Sequence, residues 1–162
     1  MKRRLFAASL ALAVLAVLGL VGPTTAREQV PFQGSYEGRF TVTQLTPPFQ
    51  LVVAIADGES TGLGHFRFDS TLTVDSVLQI GGGTSTFTAA NGDTVLADVI
   101  TRSSILPNGL RHVEEIGVIT GGTGRFAGAS GSFIGERLLN RATGEVTGFF
   151  DGTISSTGVG HP

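Results

Sequence analysis

The chain has 162 residues, with 11 Lys and Arg against 13 Asp and Glu and a net charge of −2. That acidic balance argues against nucleic acid or an anionic membrane surface as partner, because either needs a basic footprint. Cysteine is absent, so no disulfide framework exists, and stability must come from hydrogen-bonded strands and a packed apolar interior.

The first residues read as an address. Lys2, Arg3 and Arg4 precede an apolar run from Leu5 to Val21, and Thr24-Thr25-Ala26 sets small residues where a signal peptidase cuts. This order predicts a signal-peptide helix over residues 1–26, cleavage after Ala26 and a secreted or periplasmic product. The alternative is a retained membrane anchor, since about 17 apolar residues is at the lower edge of a spanning helix. After cleavage, residues 27–162 form a single domain with its core over about 34–155, and no stable membrane association is expected. The first 26 residues contain three of the cations and none of the acids. The mature part therefore carries eight arginines, no lysine and thirteen acids, a net charge of −5.

Beyond the apolar run no segment keeps helical spacing, because Gly, Thr or Ser interrupts every candidate. β-branched residues and alternation predict strands instead. In chain order these are Ser35–Gln44, Phe49–Ala56, Gly64–Asp75, Thr84–Ala89, Thr94–Thr101, Leu110–Thr120, Ser132–Leu139 and Val146–Ser155. Between them lie the turn formers Thr46-Pro47-Pro48, Asp57-Gly58, Gly81-Gly82-Gly83, Asn91-Gly92-Asp93, Pro107-Asn108-Gly109 and Thr143-Gly144. About eight short strands at regular spacing point to an all-β protein, a closed antiparallel barrel in preference to a sandwich. The chain has few edge guards such as lysine, and closure removes the need for them. The ends, Arg27–Phe32 and Gly158–Pro162, read as loose. Leu51-Val52-Val53-Ala54-Ile55 and much of Ile116–Ile119 are apolar on both faces, and no helix is available to cover them. A homo-oligomer is the simplest cover.

The segment Ile119-Thr120-Gly121-Gly122-Thr123-Gly124-Arg125-Phe126-Ala127-Gly128-Ala129-Ser130-Gly131 holds five glycines between two strands. Glycine suits such a turn because it reaches positive φ cheaply and lets backbones approach closely. The string resembles the ITGG-x-G-x-F-x-GA-x-G segment of the allene oxide cyclase barrel family, with a looser echo in plant dirigent proteins. Tyr36-Glu37 is similar to a Tyr-Glu pair in that family's opening strand, and Gly92-Asp93 to a Gly-Asp turn. The resemblance implies an exported bacterial member of the family and an eight-stranded allene oxide cyclase/dirigent-like barrel. It also implies cofactor-independent ring closure or isomerisation of an apolar, flexible small molecule. By the same resemblance, Glu37 would lie in the barrel cavity. The family's cavity cysteine has no counterpart here, the asparagine two residues after its Glu is Arg39, and its Ser-Pro pair is only echoed by Thr46-Pro47.

If Glu37 points inward, alternation brings Arg39, Thr41 and Thr43 with it, and Glu37 with Arg39 would be the catalytic pair. If the apolar residues decide, Tyr36, Phe40 and Val42 take the core and the charged pair stands outside. Arg111, His112, Glu114 and Glu115 form a second cluster. Alternation separates His112 and Glu114 from Arg111 and Glu115, so one pair faces the interior or an interface. His112 with Glu114 is an acid/base and ligand-binding candidate, the other reading being a surface charge ladder. Arg125 is a candidate for an acidic ligand, or else it ties turn carbonyls or a carboxylate while Phe126 plugs the barrel end. His65 alternates with Arg67 and Asp69 and reads as exterior, and His161 lies in the tail. These dispersed histidines give no metal signature, and neither metal nor cofactor is expected.

Two motif matches lack their context. Gly122-Thr123-Gly124-Arg125-Phe126-Ala127 fits a dinucleotide pattern, but a strand follows where a helix is required. Gly58-Glu59-Ser60-Thr61-Gly62 fits a nucleophile elbow without the strand-to-helix turn. Two functions stay open. A cyclase or isomerase requires a continuous cavity of at least a few hundred Å³, with Glu37 or Arg39 lining it. A non-catalytic barrel that binds a hydrophobic ligand or assembles with itself requires an interior filled by Phe, Leu, Val and Ile.

Overall fold

The computed structural model describes residues 27–155, so the predicted signal peptide and the tail from residue 156 lie outside the described residues. Eight strands follow one another: β1 (Gln29–Gln44), β2 (Phe49–Ser60), β3 (Gly64–Asp75), β4 (Ile80–Ala89), β5 (Thr94–Ile105), β6 (Arg111–Gly122), β7 (Gly131–Asn140) and β8 (Glu145–Ser155). Each is antiparallel to the next, and β1 closes on β8 through the register from Gln29↔Ser155 to Arg39↔Glu145. The sheet is thus a closed antiparallel barrel, the class that the alternation and the turn spacing predict.

The differences from the predicted boundaries have local causes. Gln29–Phe32, expected to be loose, belongs to β1 and completes closure against Gly152–Ser155. Pro31 fits there because the β1–β2 ladder starts only at Gly34↔Ser60, leaving that stretch paired on one side. Gly81-Gly82-Gly83 is strand rather than turn. It opens β4 opposite Val74, Thr73 and Leu72, and the reversal lies one step earlier, at Ser76–Gln79. Asp57-Gly58 is likewise inside β2, which turns only after Ser60.

Alternation sorts the side chains into a lumen and an outer wall. Inward from β1 come Phe32, Tyr36 and Phe40, and the facing strands add Ala54, Ala56, Phe66, Phe68, Leu72, Phe87, Val95, Val99, Phe133, Leu139, Val146 and Phe150, all buried. One end of the lumen is filled. Phe32, Phe66, Phe87, Phe133 and Phe150 pack there in mostly tilted and edge-to-face pairs, with centroids 4.7 to 5.9 Å apart. Leu63 and Phe126, from the turns at that end, are buried with them. The glycine-rich segment closes the filled end. Its one-turn 3₁₀ helix, Gly124–Phe126, delivers the Phe126 ring. A β-bulge at Leu96/Ala97 opposite Gly121 bends β6 toward it.

Phe87 touches the whole aromatic cluster, with ring centroids 5.0 to 5.7 Å from five neighbours. Phe87→Ala is expected to lower unfolding free energy by about 3–5 kcal/mol, read from urea denaturation. A loss under about 1 kcal/mol would mean that the filled end collapses around the gap.

Candidate functional site

Halfway along the lumen the phenylalanines give way to a polar layer. Glu115 of β6 and Arg137 of β7 are both buried, and Arg137 Nη2 donates to Glu115 Oε2. Strand register explains the pairing. Arg137 sits opposite Val113 and Glu115 opposite Gly135, so the two side chains are diagonal neighbours on the inner face. Arg137 also crosses the lumen. Its Nη1 donates to Ser70 Oγ of β3 at 3.1 Å, and Ser85 Oγ of β4 donates to the same hydroxyl at 3.1 Å. The guanidinium lies 5.0 Å over the Phe68 ring, and Tyr36 stacks on the same ring at 4.4 Å. Arg137 Nε is buried and has no hydrogen-bond partner.

Burial governs the charges here. It pushes the Glu115 carboxyl above its usual range, against the pull of the Arg137 guanidinium and its hydrogen bond. The Tyr36 hydroxyl is pushed up by burial as well, with Arg137 lowering and Glu115 raising it, so it stays neutral. The layer therefore offers one fixed cation, one carboxyl poised to hold a proton and one neutral hydroxyl.

Beyond the layer the lumen opens at the end opposite the glycine-rich segment. Phe40, Val52, Ala54, Leu72, Val74, Val113, Leu139 and Val146 wall it, Arg137 is its floor, and Gln50, Gln79, Ser103, Arg111 and Arg141 ring the mouth. The free volume is about 40 Å³, room for about three or four water molecules by the usual allowance of about 10–15 Å³ each. Arg111 Nη1 donates to Gln79 Oε1 and to Ser103 Oγ (2.9 Å), and Arg141 Nη2 to Gln50 Oε1 (3.1 Å). The lumen is thus Phe-filled at one end and charged at its centre, and its free volume of about 40 Å³ falls short of the few hundred Å³ required of a cyclase cavity.

Glu37 and Arg39 are not part of this lumen. Both are exposed on the outer wall, because Tyr36 and Phe40 take the inward positions of β1. Arg39 Nη1 donates to the Thr143 carbonyl. The cavity position conceived for them is corrected accordingly. Of the second cluster, Arg111 and Glu115 face inward while His112 and Glu114 face out. His112 Nε2 lies 3.0 Å from Glu136 Oε2, and Glu114 stands exposed opposite Glu136. Arg125 braces the filled end. Its backbone N–H donates to Asp93 Oδ2 at 3.2 Å and its Nη2 reaches the Leu63 carbonyl at 3.4 Å. His65 is exterior, against Glu59, and His161 lies outside the described residues.

Glu37 does line a broad groove of about 730 Å³ on the outer wall with Asp57, Glu59, Glu136 and Phe149. Among the described residues no three His, Asp or Glu side chains are grouped to hold a metal ion.

Arg137 was missed in the sequence, although the signal was there. Phe133, Gly135, Arg137 and Leu139 share one face of β7, so two inward apolar residues carry an arginine in with them.

Removing one partner of the buried pair leaves the other without compensation. Arg137→Met is expected to cost about 3–5 kcal/mol at neutral pH, and the Glu115→Leu, Arg137→Met double variant clearly less. The pH dependence has a definite sign. With the folded value of Glu115 raised above the ordinary 4.5, the unfolded chain releases this proton first as pH rises. This carboxyl's contribution is therefore full below 4.5 and is lost as pH climbs through the raised folded value. Urea unfolding of wild type and Glu115→Gln across that window checks it; identical pH slopes would show an unshifted carboxyl.

No protein-family model matches the chain, and no curated protein sequence does. Among solved structures, the pterocarpan synthase dirigent protein GePTS1 is similar at a TM-score of 0.59 and 13% identity, over 87% of this chain and 98% of its own. The pterocarpan synthase dirigent protein PsPTS1 is similar at a TM-score of 0.58 and 13% identity, over 80% of this chain and 96% of its own. At that identity the likeness is one of backbone: the chain has the eight-stranded barrel fold of the dirigent proteins.

Proposed function

We propose that the protein is an exported barrel that binds a small, apolar, flexible molecule end-on in its lumen, with an oxygen of that molecule set against Arg137. The observation that carries this reading is the buried Arg137 at the floor of an apolar-walled mouth, with Nε free of any partner. A buried donor without an acceptor is costly, and a ligand oxygen would relieve it. The fold shared with proteins named pterocarpan synthases adds support for a small-molecule role, as does the allene oxide cyclase-like glycine segment.

The chemistry such a floor suits is ring closure or isomerisation without a cofactor. Arg137 would stabilise negative charge developing on a carbonyl or ether oxygen, and the neutral Tyr36 hydroxyl would donate beside it. Glu115 would take up and return a proton. Confining a flexible chain between fixed walls lowers the entropic part of the barrier. A second reading is carried by the free volume: about 40 Å³ is far below the few hundred Å³ of an ordinary ligand site, which favours a barrel that carries a ligand without transforming it. Both readings share the binding step, and both require side chains at the mouth to move aside.

Self-association belongs to the same proposal. Ile100, Ile116 and Ile134 lie side by side across β5, β6 and β7 on the outer wall, 63%, 54% and 64% exposed. A second copy of the chain would cover this row. Light scattering is expected to show an oligomer that Ile116→Arg dissociates, and a monomeric wild type at micromolar concentration removes this part of the reading.

Titration with 5-phenylpentan-1-ol, a neutral apolar probe, tests the lumen. Amide resonances of Val52, Leu72, Val113 and Val146 are expected to shift, while those around Phe87 stay fixed. Val42→Phe, a change at the half-exposed rim, is expected to weaken binding about ten-fold. Absence of shifts, or shifts confined to the outer groove, overturns the lumenal site.

A further inference from the structure

Arg111 and Arg141 at the mouth are matched only with neutral oxygens. Among the described residues Arg67, Arg125 and Arg137 each find a carboxylate, in Asp69, Asp93 and Glu115. Arg111 instead donates to the Gln79 carboxamide and the Ser103 hydroxyl, and Arg141 to the Gln50 carboxamide. This occurs in a chain whose mature part has five more acids than bases. The acid nearest in sequence to that turn, Asp75, is committed elsewhere, its Oδ1 accepting from the Val77 and Leu78 amides at 2.8 and 2.9 Å. Arg111 Nε is buried and unpartnered, as is Nε of the buried Arg137 deeper in the same lumen. Two guanidiniums lining one mouth also repel each other. Burial and then the Arg141 charge lower the Arg111 pKa, a tension that an anion between them would remove.

Gln79 is placed unusually. It is the only residue other than glycine with positive φ among the described residues, at 59°, a region that side chains enter at a cost. That backbone setting ends the Ser76–Gln79 turn and directs the carboxamide into the mouth. There its Oε1 accepts from Arg111 and from Ser103 Oγ (3.2 Å), while its Nε2 donates to the Ser76 carbonyl. An amide oxygen held against a guanidinium stands where one oxygen of a carboxylate would stand, with weaker attraction.

We propose that Arg111 and Arg141 form the recognition site for the carboxylate of an organic acid with an apolar body, and that Gln79 holds that place until the acid displaces it. This deepens the lumenal reading and rests on it. The carboxylate lies at the rim, the body follows the walls made by Val52, Val113 and Leu139, and the far end reaches Arg137. Displacement of Gln79 supplies part of the room that the closed mouth lacks. Arginine suits the head group because its planar fork meets both carboxylate oxygens.

The test compares 5-phenylpentanoate with 5-phenylpentan-1-ol by calorimetry on the wild-type protein at neutral pH, a comparison that needs no variant to fold. The acid is expected to bind at least about ten-fold tighter than the alcohol. Arg111→Leu and Arg141→Leu are each expected to weaken the acid about ten-fold more than they change the alcohol. Gln79→Gly removes both the competing amide and the strained backbone and is expected to tighten the acid several-fold. Equal affinities for acid and alcohol, equal losses of both in the arginine variants, or weaker acid binding in Gln79→Gly overturn the rim site and leave the lumen standing. Binding of neither probe overturns the lumenal reading and the rim site with it.

Discussion

The width of the lumen is the constraint on which everything else depends. An eight-stranded barrel encloses a space that its own side chains just fill, so each large ring requires a gap in the adjacent strand. Glycines provide those gaps. Phe133 faces Gly117 on β6 and Gly152 on β8, and a Cβ at Gly117 would come within 2.2 Å of its ring. Tyr36 lies between Gly58 and Gly148, and a Cβ at the latter would meet its phenol ring at 2.5 Å. Phe150 is matched in the same way by Gly34, where a Cβ would come within 2.8 Å of its ring. The pairing of rings with glycines is concentrated toward one end of the barrel. Toward the other end the apolar inward residues, Phe40 apart, shrink to Val, Ala and Leu, and there the lumen opens.

The polar layer lies where the two packings meet, and it acts as a strut. Arg137 starts on β7, binds Glu115 on the neighbouring strand, and crosses to Ser70 on the opposite side of the barrel. A buried ion pair is weak evidence of stability, because desolvation offsets much of its attraction. Its effect here is geometric. By spanning the lumen the guanidinium sets the depth to which anything entering the mouth can travel, and by stacking on Phe68 it is held in a single orientation. The same burial that makes the pair costly keeps the Glu115 carboxyl ready to hold a proton and the Tyr36 hydroxyl neutral.

The strands were legible because one face of each is apolar. The period-two pattern of Phe66-Arg67-Phe68-Asp69 in β3 or Val95–Val99 in β5 admits only one inward set. It failed where glycine replaces a side chain: Gly81-Gly82-Gly83 carries no alternation, although Gly83 sits within the β3–β4 ladder opposite Leu72. It failed again at Gln29–Phe32, since pairing with a strand more than a hundred residues away leaves no local trace. The site was half legible. Alternation requires one of the pairs His112/Glu114 and Arg111/Glu115 to be inward, but a single strand does not reveal which. The partner strands decide it, because Val113 and Ile119 join the core and carry Glu115 with them.

The most recognisable segment and the chemistry occupy opposite ends of the barrel. The glycine-rich stretch that joins β6 to β7 seats Phe126 over the filled end, ties Arg125 to Asp93 and meets Arg27 through the Gly128 carbonyl. Its residues answer to a requirement of closure: the chain must leave β6, cap a lumen packed with rings and re-enter as β7 in register. The mouth answers to a different requirement and is built from the four reversals at the other end, including Ser76–Gln79. A resemblance strongest at the cap therefore reports how the barrel is sealed. What the barrel admits is decided by Gln79, Arg111, Arg141 and the Arg137 floor, none of which lies in the matching segment. A resemblance at the cap is thus compatible with different ligands at the mouth.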